Sequence, residues 1–149
     1  MEQKLKREPL GKGFFVYVTP HHTFGTDAVL LSHFASAKPK DRMVDLGTGC
    51  GIIPLLMLRD NKLQTAVGVD ISDEATVIAS KTVAEQNIEN FKIINSNLTD
   101  LKGKVEFGFH TLVTCNPPYK APNGGIKNPD RVLEVARHET ECTLEDIVS

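Results

Sequence analysis

Three glycines at a spacing of two, in Asp45-Leu46-Gly47-Thr48-Gly49-Cys50-Gly51, form the stretch of this sequence best suited to chemistry. Glycine tolerates positive φ and exposes bare backbone, so a ligand can lie directly against peptide groups. A helix starting at such a loop adds unpaired N–H donors. The dinucleotide pattern is GxGxxG, with a diphosphate on the helix dipole; GxGxG departs from it and favours a ligand without a diphosphate. Asp70 lies 19 residues beyond Gly51, where a carboxylate can accept hydrogen bonds from both hydroxyls of a ribose. Loop and acid together read as a nucleoside site. The alternative is a tight turn, with Asp70 capping the helix that follows. Cys50 has no histidine or lysine beside it and reads as a small buried residue without chemistry.

A second constellation is Asn116-Pro117-Pro118-Tyr119. Consecutive prolines fix φ and remove donors, which makes a rigid acceptor platform. The Asn116 side-chain carbonyl and the Pro117 carbonyl can each accept one hydrogen from a planar exocyclic amine, and Tyr119 offers a face on which a base can stack. The alternative is a strand-ending turn with a half-buried tyrosine. His21-His22 has no third ligand at metal spacing and reads as surface or loop, so no metal is expected. Cys50, Cys115 and Cys142 form no CxxC pair, which speaks against a disulfide scaffold, a zinc site and an iron–sulfur cluster.

These groups need a frame to hold them. Ala28, Leu31 and Ala35 predict a helix from Thr26 to Ala35, with Thr26 or Asp27 able to cap it. Met43 to Leu46 reads as a buried strand running into the glycine loop. Ile52 to Arg59 reads as a helix with Pro54 in its first turn, closed by Asp60-Asn61. Thr65 to Val69 is a second strand ending at Asp70, and Ser72 can cap a helix from Asp73 to about Gln86 with an Ala75, Ile78, Ala79, Val83 stripe. Strands at Phe91 to Ile94 and Thr111 to Cys115 follow, and another helix starts around Thr143 to Val148. The alternation predicts a doubly wound α/β fold with a mostly parallel sheet and helices on both faces.

The chain has 149 residues, 40% of them hydrophobic and 24% charged, which fits one domain over residues 1–149 with a real core. A net charge of −2 gives no global case for a nucleic-acid or membrane-surface binder and leaves only a local basic patch. The longest apolar runs, such as Ile52 to Leu58, fall far short of the roughly 18 residues of a spanning helix, and the first residues lack a signal-peptide apolar region. A cytoplasmic protein without a membrane partner is expected.

DLGTGCG and NPPY together resemble the cofactor and catalytic motifs of class I S-adenosylmethionine-dependent methyltransferases of the N6-adenine type. More narrowly, FGTDAVLL, GVDISDEA, NPPY and ARHETECTLEDI resemble the bacterial family that methylates N6 of the adenine 3′ of the anticodon in a valine tRNA. The match runs from about Phe15 to the last residue. The resemblance implies a Rossmann-like class I methyltransferase fold, S-adenosyl-L-methionine as cofactor and RNA, a tRNA near its anticodon, as partner. By it, Gly47, Gly49 and Gly51 would line the methionine and ribose, and Asp45 would help position the methionine amino group. Asp70, followed by Ile71, would bind the ribose hydroxyls. Such enzymes commonly hold the cofactor adenine with an acidic residue after the third strand; Asn97-Leu98 stands there, so Asn97 would use its amide. Thr26 and Asp27 match the motif that closes over the cofactor. Asn116, Pro117, Pro118 and Tyr119 would hold the target amine, with Asn116 also bordering the cofactor.

The family fold, by the same resemblance, has seven strands, so the expectation is a domain truncated after the fourth, whose bare edge could self-associate. The protein's task would be to place the target nitrogen in line with the methyl carbon, at about 3 to 3.5 Å. Lys120, Lys127, Arg131, Arg137 and His138 are interspersed with Asp130, Glu134 and Glu139, and read as a solvated helix face or as an RNA track. Rival acceptors are a protein glutamine amide and a ribosomal RNA guanine N2. Rival classes are a catalytically silent cofactor-binding module and an NAD-dependent oxidoreductase, the latter disfavoured by GxGxG and NPPY.

Overall fold

The computed structural model describes residues 4–116. Lys6–Gly11 (β1) and Phe14–Val18 (β2) pair antiparallel as a hairpin, an element absent from the reading of the sequence. Its turn is made by Gly11, Lys12 and Gly13, all at positive φ. No residue of β1 is fully buried, and the hairpin is held from outside. Phe15 N–H donates to Gln86 Oε1 (2.8 Å), Gln86 Nε2 donates to Phe15 O (2.8 Å), and Tyr17 N–H donates to Thr82 Oγ1 (3.0 Å). Side chains of a helix thereby satisfy the outer edge of β2, which would otherwise be left unpaired.

After the hairpin come α1 (Thr26–Phe34), β3 (Arg42–Leu46), α2 (Ile52–Arg59), β4 (Thr65–Asp70), α3 (Asp73–Glu85), β5 (Phe91–Asn95) and β6 (Leu112–Cys115). The last four strands form a parallel sheet in the order β5-β4-β3-β6. Each predicted strand and helix in residues 26–115 is present, with ends shifted by at most a residue or so. The start of α1 is a correction: Gly25 is the N-cap and no side chain caps it. The Asp27 carboxylate is engaged elsewhere, as described below. Ser72 does cap α3, accepting the Ala75 N–H at 3.2 Å. The helix expected near Thr143 lies outside the described residues.

Packing explains why α2 is apolar on every side. It lies against the sheet and is covered by α1 and the hairpin, so Ile52 through Leu58 are all buried. They join Met43, Ala66, Phe91 and Val16 in the main core. The opposite face of the sheet carries Val44, Leu46 and Val69. Among the described residues it is covered not by a helix but by Leu98, Leu101 and Val105, from the irregular segment between β5 and β6. Among these residues no helix is long and apolar enough to cross a membrane.

Leu55 is fully buried in this core, whereas Leu30 on α1 is 62% exposed. Leu55→Ala is therefore expected to cost about 2–5 kcal/mol of stability, and Leu30→Ala within about 0.5 kcal/mol of nothing. Denaturant unfolding of both variants checks the contrast.

Candidate active site

In the parallel register Leu46 pairs with Val69 on one side and Cys115 on the other. The glycine loop, Asp70 and Asn116 therefore leave the sheet at the same end, where open α/β sheets bind ligands. Gly47, Gly49 and Gly51 all have positive φ, at 70°, 59° and 86°. Their surroundings differ. A Cβ added to Gly47 or Gly49 would meet nothing within 4 Å, so both present open backbone. One added to Gly51 would meet the Phe91 ring at 3.4 Å and Ala79 Cβ at 3.8 Å. Gly51 is the left-handed N-cap of α2 and faces the interior. A fourth glycine, unmarked in the sequence, seats the loop. On β4 a Cβ at Gly68 would lie 2.8 Å from Thr48 Oγ1, and Thr48 N–H donates to Val69 O (2.9 Å).

Asp70 binds both neighbouring loops. Its Oδ2 accepts the Gly49 N–H at 2.8 Å and its Oδ1 the Ser72 N–H at 2.9 Å. Burial pushes its carboxyl up, and these two amides pull the other way. The Ile71 N–H acts on the same carboxylate, and a carboxylate oxygen has capacity for two hydrogen bonds. Its backbone is fixed from β5: Ser96 N–H (2.9 Å) and Asn95 Nδ2 (3.2 Å) donate to Asp70 O, and Asn95 Nδ2 also reaches Ile71 O (3.2 Å). Asn97 Oδ1 accepts from Thr99 N–H and Oγ1, both at 2.9 Å, so its oxygen is used in a local turn. Leu98 packs on the Leu46–Val69 cluster.

Asp45 sits beneath the loop, 1% exposed, with Thr114 Oγ1 donating to its Oδ1 at 2.7 Å. Burial pushes its carboxyl up to about 7. Asn116 Nδ2 donates to Asp27 Oδ2 (3.2 Å), which brings the first turn of α1 to the end of β6. Thr26 is exposed beside it. This contact takes a carboxylate of the right type to cap α1. Gly25 makes room for it, since a Cβ there would lie 3.0 Å from Asp27 Oδ1. Cys50 is 2% exposed and burial pushes its thiol up to about 12, which suits an inert core residue. Pro117, Pro118 and Tyr119 lie outside the described residues, as do Lys120 to His138 and the ARHE stretch.

His22 is a correction. Expected at the surface or in a loop, it lies in a loop but is buried, with Nε2 3.4 Å from both Ser72 Oγ and Glu74 Oε2. Its partners lie about 50 residues away in sequence, and no local pattern announces them.

A model of the methyltransferase small domain matches residues 16–139. The chain belongs to the methyltransferase small domain family. Proteins named tRNA1(Val) (adenine(37)-N6)-methyltransferase from Parabacteroides distasonis and Porphyromonas gingivalis are each 30% identical to it, over 125 and 134 residues, covering 83% of this chain and 51% of theirs. The chain thus spans about half the length of the relatives it matches. Among solved structures, M. capricolum TrmK in complex with S-adenosyl-homocysteine is similar with a TM-score of 0.54 at 21% identity, covering 63% of this chain and 41% of that one. YcgJ from Bacillus subtilis gives 0.53 at 23% identity, covering 61% and 37%. The family and these likenesses agree on a Rossmann-like methyltransferase fold.

In this family member Asp45 has a pH signature. A carboxyl raised from 3.8 to about 7 leaves the folded chain binding more protons than the unfolded chain between those values. Its contribution therefore declines as pH rises through that window and is level above it. Asp45→Asn keeps an acceptor for Thr114 and removes the titration. The melting temperature of Asp45→Asn minus that of the wild type is expected to rise from pH 4 to pH 7 and then stay flat. A constant difference would contradict the buried assignment.

Proposed function

We propose that this domain, taken as residues 1–149, binds S-adenosyl-L-methionine and serves transfer of its methyl group to the exocyclic N6 of an adenine in RNA, a tRNA near its anticodon, in the cytoplasm. The observation that carries the reading is the convergence of bare backbone at Gly47 and Gly49, the Asp70 carboxylate and Asn116 at one end of a parallel sheet. The residues fit a nucleoside cofactor. Gly47 and Gly49 leave a cradle that side chains would fill, and Asp70, already positioned by two amides, has acceptor capacity for ribose hydroxyls. When bound, the cofactor supplies an electrophilic methyl group on a sulfonium.

The chain's own residues divide the remaining work. Gly47, Gly49 and Gly51 shape the loop. Ile71, Asn97 and Leu98 follow β4 and β5 and border the adenine end, while Asp45 underlies the methionine end. Thr26 and Asp27 approach from α1. Asn116 Nδ2 donates to Asp27, and the Asn116 side-chain carbonyl would accept from a substrate amine. Accepting a hydrogen there draws the N6 lone pair out of conjugation and stabilises the positive charge that develops on nitrogen. Pro117 would add a second carbonyl, Pro118 would hold the turn, and Tyr119 would stack the base. The names of the 30% identical relatives support adenine N6 and tRNA.

Calorimetric titration with S-adenosylhomocysteine tests the reading, with NAD as control. Binding is expected with no response to NAD, weakened at least about tenfold in Asp70→Asn. In a form that methylates RNA, Asn116→Ala is expected to abolish turnover while changing S-adenosylhomocysteine affinity by less than about threefold. NAD binding, or equal loss of affinity and turnover in Asn116→Ala, would contradict it.

A further inference from the structure

His22 stands outside every motif named so far, yet its side chain is only 3% exposed. Its backbone is locked in a tight turn. Thr19 N–H donates to His22 O (3.1 Å), and His22 N–H donates to Thr19 O (3.2 Å) and Thr19 Oγ1 (3.1 Å). The ring meets the turn after β4, with Nε2 3.4 Å from Ser72 Oγ and 3.4 Å from Glu74 Oε2. Ser72 is the residue whose N–H holds Asp70 Oδ1 and whose hydroxyl caps α3. Burying an imidazole costs free energy unless it finds partners, and the partners here are Ser72, in the turn that follows the Asp70 carboxylate, and Glu74, in the first turn of α3. The same stretch of chain runs on to Asp27, whose carboxylate holds Asn116. Residues 22–27 therefore join the turn after β4 to the end of β6, passing the end of β3, which lies between those strands.

We propose that His22 is a positioning residue: it braces the Ser72 turn from behind so that the Asp70 carboxylate is presented to the ribose hydroxyls of the cofactor. This rests on the cofactor reading given above. The contacts of Nε2 with Glu74 and Ser72 tie the segment before α1 to the turn and to the start of α3. The bonds from Ser72 N–H and Gly49 N–H then fix the carboxylate in one orientation. Without the ring, Ser72 loses its brace, the carboxylate samples other orientations, and ribose binding weakens although no group touching the cofactor has been removed.

Two measurements on the 149-residue chain test this, using His22→Ala, His22→Gln, Asp70→Ala and the double variant His22→Ala/Asp70→Ala. Amide hydrogen exchange reads the turn in the ligand-free chain. His22→Ala is expected to speed exchange at Gly49 and Ser72 at least about tenfold relative to Val44 in the middle of β3. His22→Gln, whose amide can donate from near the Nε2 position, is expected to restore both to within about threefold. Calorimetry with S-adenosylhomocysteine reads the consequence. His22→Ala is expected to weaken binding at least about tenfold in the wild-type background and to add nothing in the Asp70→Ala background, because both act through one carboxylate. Exchange at Gly49 and Ser72 that is unchanged, or that rises only in step with Val44, would overturn the inference. Additive losses in the double variant would overturn it equally. A chain that shows the exchange pattern but binds no S-adenosylhomocysteine would overturn the cofactor reading and the ribose role together, leaving His22 as an anchor of the turn alone.

Discussion

One carboxylate joins the two loops on which this site depends. Asp70 takes an amide from the loop after β3 on one oxygen and an amide from the turn after β4 on the other. Parallel pairing makes this possible, since it brings successive strand ends to one side, and Asp70 is the last residue of β4. The surroundings are arranged to suit. Gly68 leaves space for Thr48, Thr48 is held by Val69, and β5 fixes the Asp70 backbone through Ser96 and Asn95. Burial works against the charged carboxylate and the amides oppose it only in part, while fixing the group in place.

Charge links the site to its proposed ligand. Asp45 and Asp70 are both pushed up by burial. A ligand carrying positive charge near them favours their ionised forms, so a cationic sulfonium with an ammonium group suits this pair of acids better than a diphosphate would. Asp27, on the far side, is exposed and directed to Asn116. Acids from three elements, β3, β4 and α1, thus gather at the same end of the sheet.

Much of this was legible in the sequence wherever the cause is local. The bounds of α2 follow from an unbroken apolar run after a glycine, and Ser72 caps α3 as its type and place suggest. The loop and Asp70 stood out because positive φ demands glycine and a strand-end acid has few other uses. What escaped depends on partners distant in sequence. The hairpin owes its edge to Gln86 and Thr82, 71 and 65 residues on, and His22 owes its burial to Ser72, 50 residues on. Asp27 has the right type to cap α1, but Asn116, 89 residues later, takes its carboxylate. Spacing alone gave three equivalent glycines. Only packing separates Gly51, against Phe91, from the open Gly47 and Gly49, and adds Gly68 as the residue that seats the loop.

A crystal structure of the chain bound to S-adenosylhomocysteine tests the central claim most directly. The account predicts ribose hydroxyls within hydrogen-bond distance of Asp70, the ligand lying against the backbone of Gly47 and Gly49, and the Asp70 bonds to Gly49 and Ser72 retained. A ligand bound elsewhere, or one that displaces Asp70 from those two amides, would contradict it.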